Sequence, residues 1–149
     1  MKRALGRQPA GTEGRTAQAQ RAEDLILVDT PVWVDHLRRG DVQLAALLES
    51  AAVVIHPFIV GEIACGSLAD RRTVLELLQN LPMATVADFD KVLRFIERHR
   101  LYGKGIGYID AHLLASVALI DGAALWTRDK RLHAAADVLG CTFRGPGSH

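Results

Sequence analysis

Short apolar runs alternate along this chain with longer stretches in which apolar positions recur every three or four residues. LILVD at 25–29 has the length and the branched content of a buried parallel strand. Thr30 and Pro31 then supply a capping residue and a favoured first helical position for PVWVDHLRR, which Gly40 closes. Asp41 is the expected cap of a second helix, DVQLAALLES. AAVVIH at 51–56 is a second strand, and Pro57 begins a helix running to about Ser67. DRRTVLELLQN is helical with Val74, Leu77 and Leu78 on one side, and PMATV at 82–86 is a third strand. DFDKVLRFIERHR forms an amphipathic helix with Val92, Phe95 and Ile96 inward. A glycine-rich loop, YGKGIG, leads into YIDAHLLASVALID, whose length and apolar spacing predict a buried helix. AALWT at 123–127 is a fourth strand, DKRLHAAADVL a last helix and CTF at 141–143 a short final strand.

This alternation predicts an α/β domain, a sandwich of helices around a mainly parallel sheet of about four to five strands. In such sheets sites form beyond the carboxyl ends of the strands, where Asp29 and Asp129 fall. The 149 residues fit one domain, expected over 25–143, and a 49% hydrophobic content supplies its core. Residues 1–24 are rich in Arg, Gln, Gly and Ala and read as a disordered leader without the apolar centre of a secretory signal. Residues 144–149 read as a flexible tail. No apolar run approaches the roughly 18–20 residues of a membrane span. Cys65 and Cys141 make neither a disulfide framework nor a metal pair, which suits a reduced cytoplasmic protein. The net charge of +1 decides nothing about partners, because local basic patches can bind nucleic acid on a nearly neutral protein.

Four acids carry the chemistry: Asp29, Glu62, Asp110 and Asp129, each at the edge of or within an apolar stretch. Asp29 and Asp129 each have an ordinary reading as helix caps. Glu62 is less ordinary, because its helical neighbours Phe58, Ile59, Cys65 and Gly66 offer no cation. Asp110 repeats the anomaly among Ile106, Leu113, Leu114 and Val117, although the first turn of a helix also favours a negative charge. Carboxylates gathered in one place repel, and the usual remedy is a hard divalent cation with oxygen ligands, Mg²⁺ or Mn²⁺. The pattern points to metal-dependent phosphoryl transfer. The histidines form no zinc-type cluster, and His112 is expected to be structural. Neither serine nucleophile nor phosphate-loop signatures occur, and the glycines of GKGIG read most plainly as flexibility. Trp33 and Trp126 are expected in the core.

Four segments, LVDTPVWVDHLR at 27–38, GEIACG at 61–66, GIGYIDAHLLASVAL at 105–119 and LWTRDKRL at 125–132, stand in an order that resembles PIN-domain ribonucleases of the VapC toxin type. The resemblance reaches from about Leu25 to Leu139 and leaves the leader out. It implies a metal-dependent endoribonuclease that cuts single-stranded RNA with Mg²⁺ or Mn²⁺ held by Asp29, Glu62, Asp110 and Asp129. Thr30 and Thr127 match the hydroxyl residues that accompany the first and last acids in that family. It further implies a homodimer and an antitoxin whose peptide covers the site. Arg38, Arg39, Arg128, Lys130 and Arg131 are the cations expected to track an RNA backbone, each also readable as part of a solvated face. Lys91, Arg94, Arg98, Arg100 and Lys104 form a second basic stretch, read mainly as a surface helix.

Two other phosphoryl classes fit poorly. A haloacid-dehalogenase-type phosphatase resembles a D-x-D pair after the first strand, whereas Asp29 precedes Thr30-Pro31. A receiver domain needs an acidic pair at a strand end, whereas Glu23-Asp24 precedes the strand. A non-catalytic binding module of the same fold, acting through dimerisation or an antitoxin-like partner, is the alternative against which four retained acids argue.

Overall fold

The computed structural model describes residues 25–145; the expected leader over 1–24 and the tail residues 146–149 lie outside them. Strand β1 (Ile26–Val28) is buried along its whole length because a parallel strand on each side leaves it no free edge. It pairs with β2 (Val53–Val54) through Ile26–Val53 and Leu27–Val54. On its other side it pairs with β3 (Ala124–Trp126) from Ile26–Ala124 to Val28–Trp126.

The expected third and last strands contribute one bridge each instead of a ladder. Ile55 pairs with Met83 at one edge and Leu125 with Thr142 at the other. Pro82 has no N–H to give, so this edge offers only its carbonyl to Ile55 N at 2.9 Å before Ala84 N returns a bond to Ile55 at 2.7 Å. The sheet is thus three parallel strands with a single bridge at each edge, within the α/β architecture read from the sequence.

Among the described residues seven helices surround this sheet: α1 (Thr30–Arg39), α2 (Val42–Glu49), α3 (Pro57–Ala64), α4 (Arg71–Gln79), α5 (Phe89–His99), α6 (Tyr108–Ala118) and α7 (Lys130–Val138). Helices α6 and α7 pack on β3, α5 packs on α6, and α3 packs on both α1 and α4. Helix α6 is buried from Ala111 to Val117 without a break, so it runs through the core instead of lying on it. In α4 the inward face is Val74, Leu75 and Leu78, and Leu77, expected inward, is exposed. Positions 74, 77 and 78 would form an equally regular face, and the packing of α4 on α3 selects 74, 75 and 78 instead. Helix α3 stops at Ala64, three residues short of the expected end, with Cys65 as its C-cap.

Two polar features steady the interior near α6. His56 and His112 are both buried, His112 against Phe58 and Tyr108. His56 Nδ1 accepts from Phe58 N at 3.0 Å, and Ser116 Oγ donates to Thr85 O at 2.7 Å. The remaining contact, His56 Nε2 to Ser116 Oγ at 3.1 Å, therefore has the imidazole as donor, which fixes one neutral tautomer. Among the described residues no helix is long and apolar enough to cross a membrane.

Candidate active site

β1 lies between β2 and β3, and the chain visits β2 first and β3 later on the opposite side, so the carboxyl end of β1 beside β3 is a switch point, the place where open parallel sheets bind ligands. Asp29 sits there. It follows Val28, its backbone N–H donates to Trp126 O at 2.9 Å, and the residue is 6% exposed. The helix that follows is capped by Asp29 itself, whose Oδ1 accepts from Thr30 N at 2.8 Å; Thr30, expected as the cap, is already helical. Asp129 caps α7 in the same way, accepting from Arg131 N at 2.9 Å and Leu132 N at 3.0 Å. Capping and a place at the site therefore coincide in both residues, because both follow strands that end at the same edge.

Glu62 arrives from α3 and Asp110 from the first turn of α6. Thr30 Oγ1 donates to Glu62 Oε1 at 2.7 Å, and Gly107 N donates to Asp110 Oδ2 at 3.3 Å. Glu62 is exposed, which differs from the expectation of an acid within an apolar stripe. Ile59 and Ile63 take the inward face of α3 and the next position round, Glu62, opens towards the cleft. Asp110 is half-buried.

Two of the acids feel the charges of the others. Burial raises the Asp29 carboxyl above the ordinary range, hydrogen bonds from Thr127 and Thr30 oppose it, and the charges of Glu62 and Asp129 push it higher. Asp110 is raised by burial first, against the bond from Gly107, with further upward pressure from Asp29, Asp129 and Glu62. Such a group prefers either a proton or a nearby cation. Among the described residues no three His, Cys, Asp or Glu side chains are arranged to hold a metal ion as they lie. In kind, the donors fit a hard divalent cation: four carboxylates with Thr30 and Thr127 hydroxyls beside them, all oxygen.

The expected cations divide. Arg38 lines a cavity of about 300 Å³ with Glu62, and Lys130 and Arg131 line another of about 370 Å³ together with Lys104. Arg39 is paired with Asp35 at 3.3 Å. Arg128 points to Asp35 and to Asp41, the latter at 2.8 Å, so it is not a free cation. Lys104, which in the sequence reads as part of a surface basic stretch, comes to lie beside Arg131 through the fold of the glycine loop. Gly105 has φ +76°, and an added Cβ would lie 2.6 Å from Arg131 Cδ, so the loop backbone and that side chain are in contact.

Comparison with known proteins places the chain in a family. The PIN domain family model matches residues 26–138. Ribonuclease VapC32 from two strains of Mycobacterium tuberculosis is 52% identical over 111 residues, covering 74% of this chain and 90% of the relative.

Proposed function

The chain belongs to the PIN-domain family as a VapC-type ribonuclease, and on that premise we propose that it cuts single-stranded RNA with a divalent cation, Mg²⁺ or Mn²⁺, held by Asp29, Glu62, Asp110 and Asp129. The observation that carries this reading is the hydroxyl-linked set of acids at the end of β1: Thr127 Oγ1 joins Asp29 Oδ2 to Asp129 N, Thr30 beside Asp29 bonds Glu62, and Asp110, raised first by burial, also feels the charges of the other three. A bound cation of this kind supplies a positioned, activated water and offsets charge on the phosphodiester. Asp29, Glu62 and Asp110 would hold the main cation, and Asp129, which is exposed, would make a second or water-mediated contact. Thr127 holds the Asp29 carboxylate by a 2.7 Å bond, and Thr30 holds Glu62 at the same distance. No side-chain nucleophile is required, because the attacking oxygen is that of water.

The RNA strand reaches these acids past cations, Arg38 on the Glu62 side and Arg131, Lys130 and Lys104 on the other. The biological part is that of the toxin of a VapBC pair, silenced by an antitoxin peptide over the same cleft and working as a homodimer in the cytoplasm. An exposed free thiol at Cys65 suits that reducing compartment.

The test is cleavage of a mixed single-stranded RNA pool by purified protein with Mg²⁺, with Mn²⁺ and with EDTA, beside Asp29→Asn. Cutting that needs metal and disappears in the variant supports the reading. Folded, inhibitor-free protein that cuts nothing in either metal refutes it and leaves the binding-module alternative.

A further inference from the structure

Arg128 stands between Thr127 and Asp129, yet its side chain leaves the site. One guanidinium nitrogen pairs with Asp35 and the other with Asp41 at 2.8 Å, partners 93 and 87 positions away. Its Cζ lies 5.8 Å from the centre of the Trp126 ring, so a face of the group is also covered. Asp35 belongs to α1, the helix that Asp29 caps. Asp41 caps α2 with one oxygen, accepting from Leu44 N at 2.9 Å, and gives the other to Arg128. These two bonds hold the Asp41 carboxyl below its ordinary range, the Leu44 N–H most strongly.

Helix α1 is consequently tied to the β3–α7 turn at two places. At its start, Asp29 receives Thr127 Oγ1; further along, Asp35 receives Arg128. One attachment would leave the helix free to pivot about Asp29, whereas two fix its direction relative to the turn that carries Asp129. Half-exposed ion pairs contribute little stability singly, so the consequence of this fork lies in geometry. Two carboxylates already offset the charge of Arg128, so a phosphate would meet a guanidinium whose two terminal nitrogens are both engaged.

We propose that Arg128 is a positioning residue that sets the separation of Asp29 and Asp129 by clamping the β3–α7 turn to α1 and α2, and that it does not contact RNA. The proposal rests on the reading of those two acids as cation ligands. Full-length protein, Arg128→Gln, Asp41→Asn and Arg131→Gln are compared for cleavage of a single-stranded RNA at several salt concentrations. Mn²⁺ affinity is measured separately, without RNA, from the paramagnetic signal of the free ion. Asp41→Asn keeps the α2 cap, since Asn caps as well as Asp, and weakens only the pair with Arg128, so it serves if Arg128→Gln does not fold.

In Arg128→Gln, kcat falls at least about tenfold while KM and the salt dependence stay near those of the parent. Its Mn²⁺ affinity falls about 10- to 100-fold, as for other residues that orient metal ligands. Asp41→Asn moves both quantities in the same direction, by less. Arg131→Gln instead raises KM and flattens the log–log salt slope by about 0.7, the share of one phosphate contact on a single strand. A raised KM with unchanged kcat in Arg128→Gln, or tighter RNA binding in Asp41→Asn as the arginine is freed, would overturn the proposal. So would Mn²⁺ affinity equal to the parent's in both variants. A parent protein that neither cuts RNA nor binds Mn²⁺ overturns the cation-site reading itself, and this proposal with it.

Discussion

Thr127 Oγ1 donates to Asp29 Oδ2 at 2.7 Å across 98 positions of the chain, and the same oxygen accepts from Asp129 N at 3.1 Å. One buried hydroxyl thus links the acid that ends β1 to the acid that caps α7. Its bond lowers an Asp29 carboxyl that burial otherwise raises, so losing it moves that carboxyl further up. Cleavage needs the ionised form, and Thr127→Val should therefore shift the acidic limb of the kcat/KM profile to higher pH. Thr127→Ser, which keeps the donor, should leave the limb in place. Identical limbs in parent and Val variant would show that the hydroxyl does not govern Asp29.

Asp110 makes a different prediction, because its charge is a burden on the fold. Its folded-state carboxyl is raised, so the stability linked to it is present on the acid side and is lost as pH rises through the folded value. At neutral pH without divalent metal, Asp110→Asn should melt at or above the parent's temperature while losing cleavage, since an amide oxygen still accepts from Gly107 N. Mn²⁺ should raise the melting temperature of the parent and not of the variant. A clear drop in the variant's metal-free melting temperature would mean that Asp110 is a structural residue.

Part of this is legible in the sequence. LILVD and AALWT carry the apolar density of buried strands, and Asp29 and Asp129 stand at or just past their ends, whereas the strand order that makes this a switch point is not in the pattern. PMATV and CTF carry similar density yet form single bridges, because pairing at a sheet edge depends on where the neighbouring backbone runs, which side-chain pattern does not encode. Glu62 was identified for its apolar neighbours, but its exposure depends on how α3 is rotated against α1 and α4. The partners of Arg128 lie 93 and 87 positions away, and no local spacing could announce them. From the sequence Arg128 accordingly reads as a cation for an RNA backbone or as part of a solvated face.

The glycine loop offers a test in which two residues share one backbone cost and differ in one contact. Gly103 and Gly105 have φ of +71° and +76°, and a Cβ meets nothing at Gly103 but stands 2.6 Å from Arg131 Cδ at Gly105. Alanine at either position should cost about 1–2 kcal/mol for the left-handed backbone. Only Gly105→Ala should also raise KM for RNA, because Arg131 must move aside. Equal KM values in the two variants would remove Arg131 from the RNA path.

His56 gives the pH dependence of the fold its sharpest prediction. The ring is fully buried, donates to Ser116 and accepts from Phe58 N, an arrangement open only to the neutral form. Burial, with a smaller contribution from His112, lowers its pKa from 6.5 to about 4. Because the folded value is depressed, the unfolded chain binds more protons between these limits, so stability is fully present above pH 6.5 and is lost as pH falls towards about 4. The loss over that window is about 3 kcal/mol. Asp29 and Asp110, whose carboxyls are raised, act in the opposite sense, but they are unchanged in a His56 variant and cancel in the comparison. Urea midpoints of the parent should therefore fall more steeply from pH 7 to pH 5 than those of His56→Asn, which can still cap α3. Parallel falls in the two proteins would place the acid sensitivity elsewhere in the structure.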